Sequence, residues 1–181
     1  KSNYARTNVD QVAGLYVSNP SGSLNVQAGN DLNLQGAQLA AGGDASLSAK
    51  RDVNITTVAS RNQEHQVRDA NNYMTLDTTT QLSSSVQTGG QLNIKAGNNA
   101  HLTSAQLSAG STVKLAAGND VVLDTASDSK ETGEGHKYKD KSLLASKTTR
   151  SVDETKDSRA VGGYVSGAGV EIVSGNDVKL S

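Results

Sequence analysis

The stretch Leu24-Asn25-Val26-Gln27-Ala28-Gly29-Asn30-Asp31-Leu32-Asn33-Leu34 reads as two short strands separated by a turn. On either side of Gly29-Asn30-Asp31, apolar and polar residues alternate, which is the period of a strand with one buried face. Gly, Asn and Asp are the residues that tolerate positive φ and close tight bends.

The same pattern returns along the chain. It recurs at Leu92-Asn93-Ile94-Lys95-Ala96-Gly97-Asn98-Asn99-Ala100-His101-Leu102 and at Val113-Lys114-Leu115-Ala116-Ala117-Gly118-Asn119-Asp120-Val121-Val122-Leu123. A further copy is Val170-Glu171-Ile172-Val173-Ser174-Gly175-Asn176-Asp177-Val178-Lys179-Leu180, and a worn one runs from Ala45 to Ile55 with Lys50-Arg51-Asp52 at the turn. Leu24 and Ala45 are 21 residues apart, as are Leu92 and Val113. A third short strand, Gln38-Leu39-Ala40 or Gln106-Leu107-Ser108, completes a coil with three faces. A fixed period of this length marks a solenoid. An amphipathic helix needs apolar residues at i, i+3, i+4 and i+7, which the copies lack.

The expected fold is therefore all-β, a right-handed parallel β-helix with coils of about 21 residues, the right-handed path being the one parallel connections favour. Its core ladder is Leu24, Val26, Leu32, Leu34, Val53, Ile55, Leu92, Ile94, Leu102, Val113, Leu115, Leu123, Ile172 and Leu180. The turns are expected at Gly29-Asn30, Gly97-Asn98, Gly118-Asn119 and Gly175-Asn176. Asp31, Asp52, Asp120 and Asp177, with Asn99, are expected to close these turns by bonding their own backbone. The degenerate Lys50-Arg51 turn leaves open whether that coil keeps the common geometry.

Two inserts interrupt the repeat, one from about 60 to 88 and one from about 127 to 163. Both leave at the same phase of the coil. Their polar but strand-compatible sequences predict an antiparallel hairpin in each, with Asn71-Asn72 turning the first. A lone hairpin is marginal in water, so neighbouring hairpins are expected to pair. The second insert holds 8 basic and 7 acidic residues, a balance that reads as a solvated surface.

Composition agrees with a thin interior. There is no Cys, Trp or Phe and one Pro, while Gly reaches 18, so the core must be small and aliphatic. The formal net charge of −1, with both signs interspersed, gives no electrostatic footprint for nucleic acid or an anionic membrane. The chain starts and stops within the repeat pattern and reads as a single solenoid fragment, 1–181, of a larger protein. Its open strand edges predict self-association through the solenoid ends.

Catalytic and metal motifs are weak. Gly-Asn-Asp is similar to the calcium-binding nonapeptide, but that motif repeats about every nine residues and places its apolar residue later. His65, His101 and His136 are dispersed. No Ser carries a nucleophile-elbow signature. Gly133/Gly135 and Gly167/Gly169 are wrongly placed for a phosphate loop. No catalytic, cofactor or metal residue is assigned, and no enzyme is expected.

The run GSLNVQAGNDLNLQGAQLAAGGD (Gly22 to Asp44), echoed by GGQLNIKAGNNAHLTSAQLSAGS (Gly89 to Ser111), resembles the haemagglutinin repeats of two-partner-secretion exoproteins, the filamentous haemagglutinin adhesins and the CdiA effectors of contact-dependent growth inhibition. The interrupting polar hairpins resemble the second repeat region of the CdiA branch. The resemblance implies export to the surface of a Gram-negative bacterium by an outer-membrane transporter of the two-partner type. It implies action at a target-cell outer membrane or surface receptor in toxin delivery. In the adhesin branch it implies shaft and adhesive surface instead.

Overall fold

The computed structural model describes residues 2–9, 11–142 and 144–181, and among these no helix is present. The chain opens with strands β1 (Ser2–Thr7) and β2 (Gly14–Val17). The first full winding is β3 (Leu24–Ala28), β4 (Leu32–Gln35) and β5 (Gln38–Ala41). The second begins with β6 (Ala45–Ala49) and β7 (Val53–Thr56), passes through the long strands β8 (Val58–Asp69) and β9 (Asn72–Leu82), and ends with β10 (Ser85–Thr88). The third is β11 (Leu92–Ala96), β12 (Ala100–Thr103) and β13 (Gln106–Ala109). The fourth runs β14 (Thr112–Ala117), β15 (Val121–Asp124), the long β16 (Ala126–Lys141) and β17 (Ser146–Val161), then β18 (Tyr164–Ser166). β19 (Gly169–Ser174) and β20 (Val178–Leu180) follow.

These strands form two compact units. The larger, built from 11–58, 81–126 and 161–181, is a β-solenoid. Its three parallel sheets are β3-β6-β11-β14-β19, β4-β7-β12-β15-β20 and β2-β5-β10-β13-β18. The 21-residue offset sets the register: Leu24 pairs with Ala45, and Leu92 with both Ala45 and Val113. Inward positions of all three sheets supply one aliphatic core, in which Leu47, Ile55, Leu92, Ile94, Leu107 and Leu115 are fully buried. Each such side chain contributes roughly 1.5–3 kcal/mol relative to exposure.

Of the expected ladder, Leu32, Val53, Ile55, Leu92, Ile94, Leu102, Val113 and Leu115 are buried, while Leu24, Val26, Leu34, Leu123 and Ile172 are partly buried against them. Leu180 departs from expectation. It stacks in register on Leu123 yet is 73% exposed among the described residues, where β20 pairs with β15. Leu39, Val86 and Leu107, inward residues of the third sheet, complete the core and were not in the expected ladder.

The first insert is shorter than expected. Ser85–Thr88 is not part of it: β10 pairs in parallel with β5 and β13 and restores the third face of its winding. Tyr164–Ser166 does the same in the fourth winding by pairing with β13.

The smaller unit draws on 2–9, 59–80 and 127–160 and is an antiparallel sheet of order β1-β8-β9-β16-β17. The two inserts meet edge to edge through β9 and β16, with Ser129 opposite Thr79 and Gly135 opposite Tyr73. β1, whose residues are all exposed and carry no alternating apolar face, adds to β8 as a further strand. At the first hairpin tip, Asp69 accepts the Asn71 N–H at 2.8 Å and the Asn72 amide, an Asx-type turn. The Asn71 N–H and then the Asn72 amide hold the Asp69 carboxyl below its ordinary value.

Candidate functional site

The Gly-Asn-Asp turns are tied to one another rather than to themselves. Asp31 Oδ1 accepts the backbone N–H of Asp52 at 3.3 Å, one winding on. Asp52 Oδ1 accepts the N–H of Asn99 and the Asn98 side-chain amide, each at 3.0 Å. Asn99 Oδ1 accepts from the Asp120 N–H and Asn119 Nδ2, and Asp120 Oδ1 from the Asp177 N–H and Asn176 Nδ2. The expectation that these side chains bond their own backbone is corrected for Asp31, Asp52, Asn99 and Asp120. Each closes the turn one winding further along, so the column is a directional ladder with its acceptors pointing one way.

The Lys50-Arg51 winding keeps this geometry. Its backbone takes the common bonds, Arg51 N–H to Asn30 O at 3.0 Å and Asn98 N–H to Arg51 O at 2.8 Å. The Arg51 guanidinium takes the place of the Asn amide on Asp31 and holds that carboxyl below its ordinary value. The column therefore accepts either an amide or a guanidinium donor beside the backbone N–H.

Three of the turn glycines, Gly97, Gly118 and Gly175, are there for close approach rather than for positive φ. A Cβ at Gly118 would sit 2.2 Å from the Gly97 carbonyl oxygen, and one at Gly175 would sit 2.0 Å from that of Gly118. Among the described residues, positive φ falls on Gly36 and Ser104 instead. Both occupy the corner between the second and third faces in the uninterrupted windings. There the Ser104 hydroxyl is fully buried, donates to Val161 O and accepts the Ala126 N–H at 2.7 Å. One hydroxyl thus joins the residues where the second insert leaves and rejoins the winding. Ser84, also fully buried, accepts the Ala37 N–H at 3.0 Å and donates to Thr56 O at 2.6 Å. Both serines escaped the sequence reading, since nothing local separates them from the many exposed serines.

The histidines form no common centre. His65 meets Asp77 at 3.1 Å, His101 meets Asp124 at 2.9 Å, and His136 contacts Glu134. At His101 both Asp124 and the Thr103 hydroxyl (3.4 Å) approach the same nitrogen, Nε2. A relay needs the carboxylate and the hydroxyl on opposite ring nitrogens, so this trio is not one. Partial burial, the largest single influence, pushes the Asp124 carboxyl up, but hydrogen bonds from His101 and Thr103, with the His101 charge, together outweigh it and the group lies below its ordinary value. Among the described residues no cluster of three His, Asp or Glu side chains has the geometry to hold a metal.

In the antiparallel sheet, Gly133 and Gly135 are buried although they lie on a polar strand. A Cβ at Gly135 would strike the Tyr73 ring at 2.4 Å, and Tyr73 is its cross-strand partner. The glycines let aromatic and hydroxyl side chains of β9 lie flat across β16, an established way of covering sheet glycines. Beside them is an open groove of about 820 Å³, lined among others by Val67, Tyr73, Met74, His136 and Tyr138. The His136 and Tyr138 rings stack at 5.8 Å.

Parallel windings on a 21-residue period, joined by aliphatic columns and an Asn/Asp ladder, define a repeat-built β-solenoid. The hemagglutinin repeat family matches this chain over residues 10–71 and 66–140, and the chain belongs to that family. No curated protein and no solved structure matches it. The family places the chain among segments of filamentous-haemagglutinin-like adhesins and exoproteins, which are typically secreted or held at the cell surface.

Proposed function

We propose that the chain is a non-catalytic segment of a Gram-negative surface exoprotein, the repeat region of a CdiA-type effector acting at the target-cell outer membrane during contact-dependent toxin delivery. The observation that carries this reading is the pairing of the two inserts through β9 and β16 into one antiparallel sheet. A plain shaft needs only the windings. Here 59–80 and 127–160 form a separate compact unit, a structure that the solenoid core does not require. Support for a non-catalytic role comes from the three dispersed histidine–carboxylate pairs and the same-nitrogen contacts at His101. In this reading the exoprotein leaves its cell through an outer-membrane transporter of the two-partner type, and it uses no cofactor and no nucleic acid.

A second reading, an adhesive segment of a filamentous-haemagglutinin-like adhesin, is favoured by the groove beside Tyr73, with Met74 and Tyr138 exposed. Deleting 59–80 and 127–160 from the full-length exoprotein separates the two. Target-cell binding retained with toxin uptake lost supports delivery. Binding lost supports adhesion, and both activities unchanged would refute each.

A further inference from the structure

We infer that the outer half of the second hairpin docks on a membrane bearing anionic lipid, through Lys137, Lys139, Lys141 and Arg150. The inference deepens the outer-membrane reading, on which its choice of partner rests. The 8 basic and 7 acidic residues of the second insert balance as a whole but not along the ribbon. Residues 136–150 hold five of the bases, Lys137, Lys139, Lys141, Lys147 and Arg150, and a single acid, Asp140. The other six acids lie on the inner half with three bases, where Lys156 pairs with Glu131. The five outer bases are exposed, and none has an ion-pair partner among the described residues.

Strand geometry sorts these charges further. Lys137, Lys139 and Lys141 alternate with Tyr138 and Asp140 along β16, so the three lysines share one face, about 7 Å apart. Ser142 donates its N–H to Ala145 O at 2.7 Å, and Glu131 meets Lys156, contacts that fit a single register of β16 on β17. That register sets Arg150 opposite Lys137 and Thr148 opposite Lys139, which makes a face of four cations without a carboxylate. Like charges placed opposite one another weaken a strand pair, so the fold gains nothing from this face, whereas a bound anionic surface relieves it. The first hairpin stops short of the stretch: β9 begins at Asn72, whose Oδ1 accepts the Lys137 N–H at 3.0 Å. The apolar content of the same tip favours lipid over a soluble polyanion. Leu144 is 98% exposed between the two strands, and Tyr138 is 61% exposed beside the lysines. A leucine and an aromatic ring among cations match the layer where headgroup phosphates overlie acyl chains.

The test is co-sedimentation of the 181-residue chain with vesicles of phosphatidylcholine alone and of phosphatidylcholine mixed with phosphatidylglycerol. The chain is expected to bind the mixed vesicles, less tightly as salt is raised, and not the neutral ones. Lys137→Gln, Lys139→Gln and Lys141→Gln combined should weaken binding roughly a hundredfold, about fivefold for each charge. Lys130→Gln, Lys156→Gln and Arg159→Gln combined remove the same charge from the inner half and should leave binding nearly unchanged. Leu144→Ser keeps every charge and should weaken binding several-fold. Circular dichroism checks that the variants stay folded, and Lys139→Gln alone replaces the outer triple variant if that one unfolds. A chain that binds neither vesicle, equal binding to both, or equal loss in the two triple variants overturns the inference. Unchanged binding by Leu144→Ser overturns it in favour of a soluble polyanion. Toxin uptake after deletion of the inserts tests the delivery reading separately, so either can fail without the other.

Discussion

Asp120 Oδ1 accepts the backbone N–H of Asp177 at 3.1 Å, across 57 residues of sequence and one step of the solenoid. The second insert accounts for the long separation, because the same bond between Asp31 and Asp52 spans 21 residues. A single acceptor column thus holds the windings in register whether or not an insert intervenes. Asp120→Ala removes the acceptor for Asp177, Asn176 and Lys179 together and should lower the thermal midpoint. Asp120→Asn keeps Oδ1, as Asn99 does naturally, and should lower it less. Equal midpoints for the two variants would show that the acceptor is immaterial.

Acid should loosen this column. The Asn176 amide, the Asp177 N–H and Lys179 hold the Asp120 carboxyl below its ordinary value, and Arg51 does so for Asp31. A carboxylate with a depressed folded pKa contributes its full stability above the ordinary carboxylate range, about pH 4. That contribution fades as pH falls through the depressed value. Thermal midpoints should hold steady from neutrality to about pH 5 and drop below about pH 4. In Asp120→Asn the drop should be shallower, as differential scanning calorimetry at each pH would reveal.

Close approach of neighbouring windings makes the turn glycines unequal. Gly29 has nothing within 4 Å of the position a Cβ would take, whereas at Gly118 a Cβ would meet the Gly97 carbonyl oxygen at 2.2 Å. Gly118→Ala should therefore destabilise by roughly 1–3 kcal/mol, the usual cost of overpacking. Gly29→Ala should be neutral or slightly stabilising through the unfolded chain. Urea unfolding of the pair checks the ranking.

Ser104 carries two demands at once, a left-handed backbone with φ 51° and a buried hydroxyl joining Ala126 to Val161. Ser104→Ala keeps the backbone demand and strips the Ala126 N–H and Val161 carbonyl of their partner, at a cost of about 1–3 kcal/mol. Ser104→Gly relieves the backbone while losing the same bonds, so it should cost less than alanine. Limited proteolysis should cut the second insert faster in both variants.

Leucines of one register column should differ by position along the solenoid. Leu102 is 2% exposed and Leu180 is 73% exposed, although both align with Leu123. Leu102→Ala should cost about 2–5 kcal/mol. Leu102→Asp, which buries an unpaired charge, should cost more. Leu180→Ala should stay within roughly 0.5 kcal/mol.

The sequence by itself determined the strand period, the 21-residue winding and the aliphatic columns, because alternation and turn residues are local signals repeated in copy after copy. It also placed the inserts and their pairing, since polar hairpins at one phase of a coil have few other partners. Only the tertiary structure decided where the Asp and Asn side chains point, why Gly97, Gly118 and Gly175 must be glycine, and which serines are buried. Ser85–Thr88 belongs to the solenoid, and Ser2–Thr7 to the antiparallel sheet, for the same kind of reason. In every one of these cases the partner lies a full winding or more away along the chain. Its identity is fixed by stacking at strand spacing, which no stretch of neighbouring residues encodes.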